Sequence, residues 1–551
     1  MQPGDIVSLY EHLYAEKGTV NRVLDLISKY VTPNKQNILS TNTPGTSSTL
    51  NRYDSTAEHA ARLLASSIQG AMTPLNTLWQ RFKTPIKELN EMDEVQDWLY
   101  DSSERMHDAY RASNYYTKSH EALIDLVSAG TNSLLQEQKP TDEFGGFAGL
   151  KFDTFGVREY VIIEGPEGTI IGVIRKLRLT AQQIQKKLSP KPGFISLSKN
   201  IMKALKSKSM GEQSKKFEIL HAILPRDHID KGKAGSNEMP YLSQYIAKDE
   251  RFMLSDGGYL EFPLSVARWD KQSDDDGWGR SPAWVVLPEI LTLNNVKEKG
   301  LIALAKDVSP PLLVEHKGLV GGLRVTPNAI NVYRRDKGKP EYLTSGVRVD
   351  ITQFREEEIK KTIEKAFFTD QLQLPEGREM TAYETSVRVQ LIQRLIGPTF
   401  HRLTHEFYDP QGLRSFNIML RAGAFKPIPE VMKQYANPNG ELDFEIEYLG
   451  TLARSQRLEE VQSIQATYQA AAEIFAAKQG QSGVLDNLDD DEAIRLIANQ
   501  SGLPAKVLRD KELIQQERQQ RQEQAQQQAQ LDQAQQAGDV ENVAAKTAAT
   551  Q

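Results

Sequence analysis

Apolar residues recur at helical spacing from the start of the chain. Ile6, Leu9, Leu13, Val20, Val23, Leu24 and Ile27 share one face of an amphipathic helix over 5–30. Gly18 weakens its middle and allows two shorter helices, and Pro33-Asn34 end it. A polar loop over 39–50 precedes a second helix over 54–71, which Asp54 or Ser55 can cap; Glu58 fits a capping box with Ser55. Its face of Ala60, Leu64, Ser67, Ile68 and Ala71 suits close packing, and Pro74 stops it. Val95, Trp98, Leu99, Met106, Tyr110 and Tyr115 give more helix over 91–128 an aromatic-rich face.

The period changes after 140. Val161–Ile163, the turn Glu164–Gly168 and Thr169–Ile171 read as a hairpin, and Thr180 can cap a helix running to Leu188. The stretch 186–216 is lysine-rich and reads as loop, Lys216–Leu224 alternates as a strand, and further strands fit 241–246 and 250–269. This is an α+β region, not a βαβ repeat. Helix returns over 283–306, with Pro288 and Gly300 as places to kink. A Gly- and Pro-rich, β-prone insert at about 310–351 leads to a helix with Phe354, Ile359, Ile363 and Phe367 as its apolar positions. A polar loop over Thr369–Met380 opens a helix over 381–408 that Pro398 bends.

The C-terminal part differs again. An alanine-rich helix over 451–478 precedes an acidic cluster at Asp486–Glu492 and two short helices joined at Gly502-Leu503-Pro504. From Gln515 to Gln536, 13 of 22 residues are glutamine, with Leu531 the lone large apolar residue. Such a segment is either solvated or disordered, or a self-associating helix that needs neighbouring subunits. Residues 537–551 read as a disordered tail.

At roughly 150 residues per domain, 551 residues suggest three or four domains, and 39% hydrophobic content supplies a core. The absence of cysteine excludes disulfides, thiolate catalysis and thiolate metal sites. A net charge of −6 lacks the basic footprint of a chain that grips nucleic acid everywhere. No apolar run spans a bilayer, and the start has no basic n-region, so neither a membrane nor a signal peptide is expected.

The usual chemistry is missing. Gly232-Lys233 and Gly338-Lys339 lack the upstream glycine of a phosphate loop. His120-Glu121 and His405-Glu406 are not followed by the histidine a zinc site needs, and there is no nucleophile elbow. The runs Asp274–Asp276 and Asp489–Asp491 read as solvated turns rather than cation sites. No catalytic, cofactor-binding or metal residue is assigned, no cofactor is implied, and an enzyme is not expected.

Five segments in order resemble the head-to-tail connector (portal) proteins of short-tailed bacteriophages, the podovirus type. They are Tyr53-Asp54-Ser55-Thr56-Ala57 with Met72-Thr73-Pro74 and Trp79; Gly277-Trp278-Gly279-Arg280-Ser281-Pro282; Pro310-Pro311-Leu312; Met380-Thr381-Ala382-Tyr383-Glu384-Thr385; and Leu449-Gly450-Thr451-Leu452-Ala453-Arg454-Ser455-Gln456. The chain departs from the family pattern at Met72, where leucine is common, and at Trp278, where tyrosine is. The structural motif residues carried over are Tyr53, Asp54, Thr73, Pro74, Gly279, Arg280, Pro282, Thr381 and Glu384.

The resemblance implies an α+β portal fold: a mainly helical wing, a two-helix stem, a small α/β clip and a C-terminal helical crown or barrel. On this chain it implies a wing at 1–270 (β-rich at about 145–270), stem helices at 271–309 and 352–368 around a clip at 310–351, and a channel loop at 369–380. More wing would follow at 381–480, with the crown at 481–536. Asp370, Gln371, Gln373 and Glu376 would line the channel. It also implies a ring of 12 subunits at one capsid vertex of the virion, assembled in the host cytoplasm. Double-stranded DNA would pass through its channel. Its partners would be the terminase large subunit, tail adaptors and major capsid or scaffolding proteins. Another phage tail or baseplate adaptor, which would lack the helix–insert–helix element, and a DNA-processing enzyme, which would turn over DNA or nucleotide, are the alternatives. Arg280, beside a helix start whose dipole disfavours it, is expected to pair with a carboxylate, either within the chain or across a subunit boundary in a ring.

Overall fold

A computed structural model describes residues 2–33, 52–90, 92–140, 146–189, 191, 193–226, 239–273, 276–308, 312–316, 318–322, 330, 332–337, 341–342, 349–372, 397–435, 443–449, 451–477, 483, 487–501, 514 and 516–528. Along the chain its helices are α1 Pro3–Glu16, α2 Gly18–Tyr30, α3 Thr56–Met72, α4 Lys87–Asn90, α5 Asp93–Arg111, α6 Tyr115–Ala129, α7 Ala181–Leu188, α8 Lys199–Lys206, α9 Met210–Gln213, α10 Pro282–Val285, α11 Leu287–Val308, α12 Val349–Ala366, α13 Thr369–Leu372, α14 Asp409–Arg421, α15 Glu430–Lys433, α16 Thr451–Ala477 and α17 Asp490–Ser501. Its strands are β1 Gln80–Lys83, β2 Leu134–Gln138, β3 Leu150–Thr154, β4 Tyr160–Glu164, β5 Ile170–Thr180, β6 Lys216–Pro225, β7 Tyr241–Ala247, β8 Phe252–Tyr259, β9 Leu264–Ser265, β10 Leu312–Leu313, β11 Glu341–Tyr342 and β12 Glu445–Tyr448. This is an α+β chain. It divides into two compact units, Met1–Thr77 with Met106–Ala424 and Leu78–Arg105 with Phe425–Gln551.

The first unit is built on a five-stranded antiparallel sheet in the order β4-β5-β6-β7-β8. Alternation along the strands assigns its two faces. Val161, Ile174, Leu220, Ala222 and Leu224 bury against Ile6, Val7 and Tyr10 of α1. On the opposite side, Ile219, Tyr245 and Leu254 pack under α7 and α8, while Val173 and Ile223 meet Leu135 of β2 and Leu264 of β9. Those last two strands belong to a three-stranded sheet, β3-β2-β9. The β4–β5 hairpin stands where the alternation predicted it. Thr180 forms a full capping box with Gln183 at the start of α7.

Several elements differ from expectation. Residues 186–216 are not loop throughout, since α8 and α9 form inside them; Ile201 and Ala204 are buried and supply the packing energy that the lysine count obscured. The long helix breaks at Val286, just ahead of Pro288, whose missing N–H sits in the first turn of α11, and it runs unbroken through Gly300. Ser55 occupies the N-cap position of α3 without a side-chain cap bond. Asp54 takes the role by accepting from the Thr56 N–H at 2.8 Å. Glu58 instead accepts from Arg52 and Arg62, so the capping box does not form. Residues 397–403 are helical and pass through a π-helical turn at Thr404–Tyr408 into α14. Pro410 explains that turn, because it cannot donate to the carbonyl four residues earlier. β10 and β11 pair within the insert between α11 and α12.

In the second unit β1 pairs with β12. Trp79 stacks on Tyr448, with ring centroids 6.5 Å apart. Trp98 meets Phe425 edge-on and stacks on Phe444, and its Nε1–H donates to the Lys426 carbonyl at 3.0 Å. Arg81 and Lys83 both reach Glu447 at 2.8 Å. α16 packs on α17, and Tyr468 donates to Asp490 at 3.0 Å. Residues 516–528 are helical, and Arg518 holds Asp491 through two bonds of 2.5 and 2.7 Å.

Candidate functional site

Two of the motif segments pack on the α10–α11 helix, one along α11 and the other at the start of α10. The first is held from below. The Tyr53 N–H donates to Asn294 Oδ1 at 2.8 Å, and the Asp54 carboxylate accepts from Lys297 Nζ at 2.6 Å, so both residues tie the entry to α3 onto α11. Burial would raise the Asp54 pKa, but Lys297 and Thr56 overcome it and hold the carboxyl below the usual range. Asp54 therefore does two jobs at once, capping α3 and anchoring it. At the far end of α3, Thr73 is buried and its N–H closes the last turn on the Gln69 carbonyl at 2.8 Å; Pro74 then prevents continuation.

The second segment is threaded against the end of α6. Gly130 ends α6 in the left-handed conformation, φ +87°, which glycine adopts without penalty. Gly279 lies directly on it. A Cβ on Gly279 would sit 2.0 Å from the Gly130 carbonyl oxygen, and one on Gly130 would sit 2.3 Å from the Gly279 carbonyl oxygen. The Gly279 N–H donates to Thr131 Oγ1 at 2.9 Å, and the Arg280 N–H to the Asp270 carbonyl at 2.7 Å. Ser281 Oγ donates to the Ser128 carbonyl at 2.6 Å and accepts from the Trp284 N–H at 3.0 Å. Ser281 as N-cap and Pro282 as first helical residue match the sequence expectation.

Arg280 finds its carboxylate inside the chain. It bonds Asp276 at 2.5 Å, and its guanidinium lies 4.1 Å from the centroid of the Trp284 ring. The carboxylate expected for Arg280 is thus Asp276, four positions earlier in the same chain.

Beneath the segment sit charges that no motif announced. Lys17, only 1% exposed, lies 3.5 Å from the centre of the Trp278 ring and donates to the carbonyls of Val157 and Tyr160 at 2.5 and 2.7 Å. Burial, and then the nearby Arg158, push its pKa well down. Arg268 is buried as well. It bonds Glu406 Oε1 at 2.8 Å, Glu164, and the Gly168 carbonyl at 2.8 Å. Burial opposes its charge, but Glu406 and Glu164 prevail and raise its pKa. Glu406 lies 138 residues from Arg268, and Glu164 lies 104 away, so no local spacing reveals the trio.

α12 packs along α11, and α13 packs on α3 and α12. Asp370 is exposed on α13, and Gln371 lies on the same helical turn. The chain enters that turn through Phe368, whose φ of +56° is unusual for a residue with a side chain. Gln373, Glu376, Thr381 and Glu384 lie outside the described residues. Among the described residues no group of three or more metal-ligating side chains converges, and no helix is long and apolar enough to cross a membrane.

Comparison with known proteins adds the following. The family model for bacteriophage head to tail connecting protein matches residues 4–508. The chain is 22% identical over 475 residues to the portal protein of Salmonella phage epsilon15, covering 84% of this chain and 80% of that protein. It is 25% identical over 471 residues to the probable portal protein of Bordetella phage BPP-1, covering 83% and 80%. Among solved structures it is similar to a chain of the virion of a native gene transfer agent particle, with TM-score 0.39, 12% identity, and 86% and 93% of the two chains covered. A chain of the neck of the native particle gives TM-score 0.36 and 10% identity, covering 83% and 94%.

Proposed function

The chain belongs to the bacteriophage head to tail connecting protein family, and from that premise we propose how it works as a portal subunit. It is a portal protein, the connector between phage head and tail. The family match over almost the whole chain carries this reading. On it, twelve copies form a closed ring at one capsid vertex, α11 and α12 form the stem, the insert between them is the clip, and α13 with the residues after it forms the channel loop. The clip and stem dock the terminase large subunit during packaging and tail adaptors afterwards, and the wing meets capsid or scaffolding protein. The subunit catalyses nothing and is assembled into the particle in the host cytoplasm.

Exposed apolar residues support a ring. Val285, Val308 and Phe354 are 70%, 78% and 70% exposed, and Leu301, Ile302 and Leu304 lie open on α11 between them. A lone chain leaves these six in water, where covering each fully is worth roughly 1.5–3 kcal/mol. Heterologous contacts that close by rotation would cover the same residues on every copy. The net charge of −6 also suits a conduit, since a wall that neutralised many phosphates would hold the duplex instead of letting it slide.

Negative-stain images of the purified protein test the reading. Closed rings with a central channel wide enough for duplex DNA are expected. Replacing 315–346 by a short Gly-Ser linker should leave rings that no longer bind terminase. Monomers alone from the unaltered chain would refute the ring, and undiminished terminase binding by the shortened one would refute the clip assignment.

A further inference from the structure

We infer that the layer of α7, α8 and α9 is a docking surface for the phosphate backbone of duplex DNA. Segment 181–216 holds nine lysines against one acidic residue, Glu212, in a chain whose net charge is −6. Two of the nine turn away from water: Lys187 is half-buried, and Lys191 bonds Glu137 at 3.3 Å. Lys186, Lys199, Lys203, Lys206, Lys208 and the adjacent Lys215-Lys216 remain exposed.

The fold gathers these charges onto one side. α7 packs on α8, and α8 on α9. Ile184, Leu188, Ile201 and Ala204 bury the inner side of the layer against the five-stranded sheet. On α8, Lys199, Lys203 and Lys206 follow i, i+4, i+7 spacing and so share a stripe opposite Ile201 and Ala204. Two nearby acids are engaged elsewhere. Glu250 accepts from Ser198 Oγ and the Asn200 N–H, and Glu218 pairs with Arg178 and Lys176. The stripe on α8 is about 10.5 Å long at 1.5 Å per residue, and duplex DNA presents a charge every ~1.7 Å, so three lysines face several phosphates.

Residue type narrows the partner. All the cations are lysines, which act as point charges, and no arginine fork for bidentate base recognition occurs in 181–216. Among the described residues of the layer no aromatic ring is exposed to stack on an unpaired base. The surface therefore matches a duplex backbone read without regard to sequence. Because phosphate contacts brake sliding, DNA held here is DNA at rest. The choice of DNA over another polyanion rests on the portal reading.

The test uses the full-length chain and a labelled duplex of about 16 base pairs, with affinity measured between 50 and 200 mM NaCl. The triple variant Lys199→Gln, Lys203→Gln, Lys206→Gln should lower the slope of log affinity against log salt by about 2.7 and weaken binding at least tenfold at the low-salt end. Its thermal midpoint should match that of the unaltered chain, because the three side chains touch no core; a large drop would remove them from the exposed surface and overturn the inference. No duplex binding by the unaltered chain, or an unchanged slope in the variant, would overturn it too. So would lysine-dependent binding of poly-glutamate in preference to DNA, which would make this a surface for an acidic protein. Ring formation, imaged on the same samples, reports separately on the portal reading: rings without lysine-dependent DNA binding sink this inference alone.

Discussion

Gly279 and Gly130 pass each other so closely that neither has room for a methyl group: a Cβ on Gly279 would meet the Gly130 carbonyl oxygen at 2.0 Å. The neighbour is backbone, which cannot swing aside, and Gly130 already needs its positive φ to end α6. This contact sets the direction in which Ser281-Pro282 launch α10. Gly279→Ala is expected to cost at least 1–3 kcal/mol, roughly the penalty of overpacking. Gly70 is a control, since it lies exposed within α3 with nothing within 4 Å of a Cβ. Gly70→Ala should stabilise by about 0.5–1 kcal/mol. Denaturant midpoints of both variants check the contrast; equal midpoints would show that the close approach is not a constraint in solution.

The Asp54–Lys297 pair gives the second prediction. Asp54 caps α3 and pairs with Lys297 in a site where its side chain is only 9% exposed. Asp54→Asn keeps a cap acceptor but strands the ammonium, so a loss of about 1–3 kcal/mol is expected. In a double-mutant cycle with Lys297→Met the two losses should fall short of additive, because Lys297→Met removes the stranded charge. Strict additivity would mean that the pair does not form.

How far the sequence revealed this site depended on range. Ser281 and Pro282 could be read as cap and first turn because their partners lie within three residues, and the β4–β5 hairpin was legible because alternation and turn sit side by side. The capping role of Asp54 was legible, but its ion pair with Lys297 was not. Arg268 with Glu164 and Glu406, and Lys17 beneath Trp278, left no trace in any window, because their partners come together only when the sheet and helices pack. The lysines of 186–216 misled in the opposite direction. Charge count suggested a loop, while two buried positions, Ile201 and Ala204, were enough to dock α8.

Arg280 yields a third prediction. It combines one ion pair at 2.5 Å with a face-on contact to Trp284, and only the guanidinium satisfies both. Arg280→Lys is expected to retain the charge attraction to Asp276 but lose the planar stacking, with an intermediate cost. Arg280→Ala should cost roughly 1–2 kcal/mol more than a neutral surface change. Urea midpoints in the order unaltered chain, Lys, Ala would agree. Lys and Ala variants of equal stability would mean that the pairing with Asp276 adds nothing, and midpoints equal to that of the unaltered chain would reject any structural role.

His221 sits at the centre of the five-stranded sheet and makes its stability depend on pH. Its Nδ1 accepts from Arg175 Nε–H at 3.1 Å, which leaves Nε2 to donate to Ser243 Oγ at 3.0 Å, and its ring stacks on Tyr245 at 4.0 Å. A proton on Nδ1 would oppose the Arg175 N–H, so the folded site accepts only the neutral ring. Burial first, then Arg175, Lys191 and Lys187, depress its pKa well below the usual value. The unfolded chain therefore binds a proton near pH 6.5 that the folded chain refuses. Stability is unaffected above that pH and falls as the pH drops from about 6.5 toward the depressed pKa, by up to ~1.4 kcal/mol per unit. Paired carboxylates such as Asp54 titrate lower and leave this window clear. His107, also depressed, acts in the same direction, and Glu159, whose pKa burial raises, acts against it. Both cancel when the unaltered chain is compared with His221→Asn at each pH. The variant should be less stable at pH 8, because it loses the Arg175 acceptor geometry, yet its stability should decline less between pH 6.5 and 5. Parallel curves for the two proteins would mean that His221 is not the group that refuses the proton.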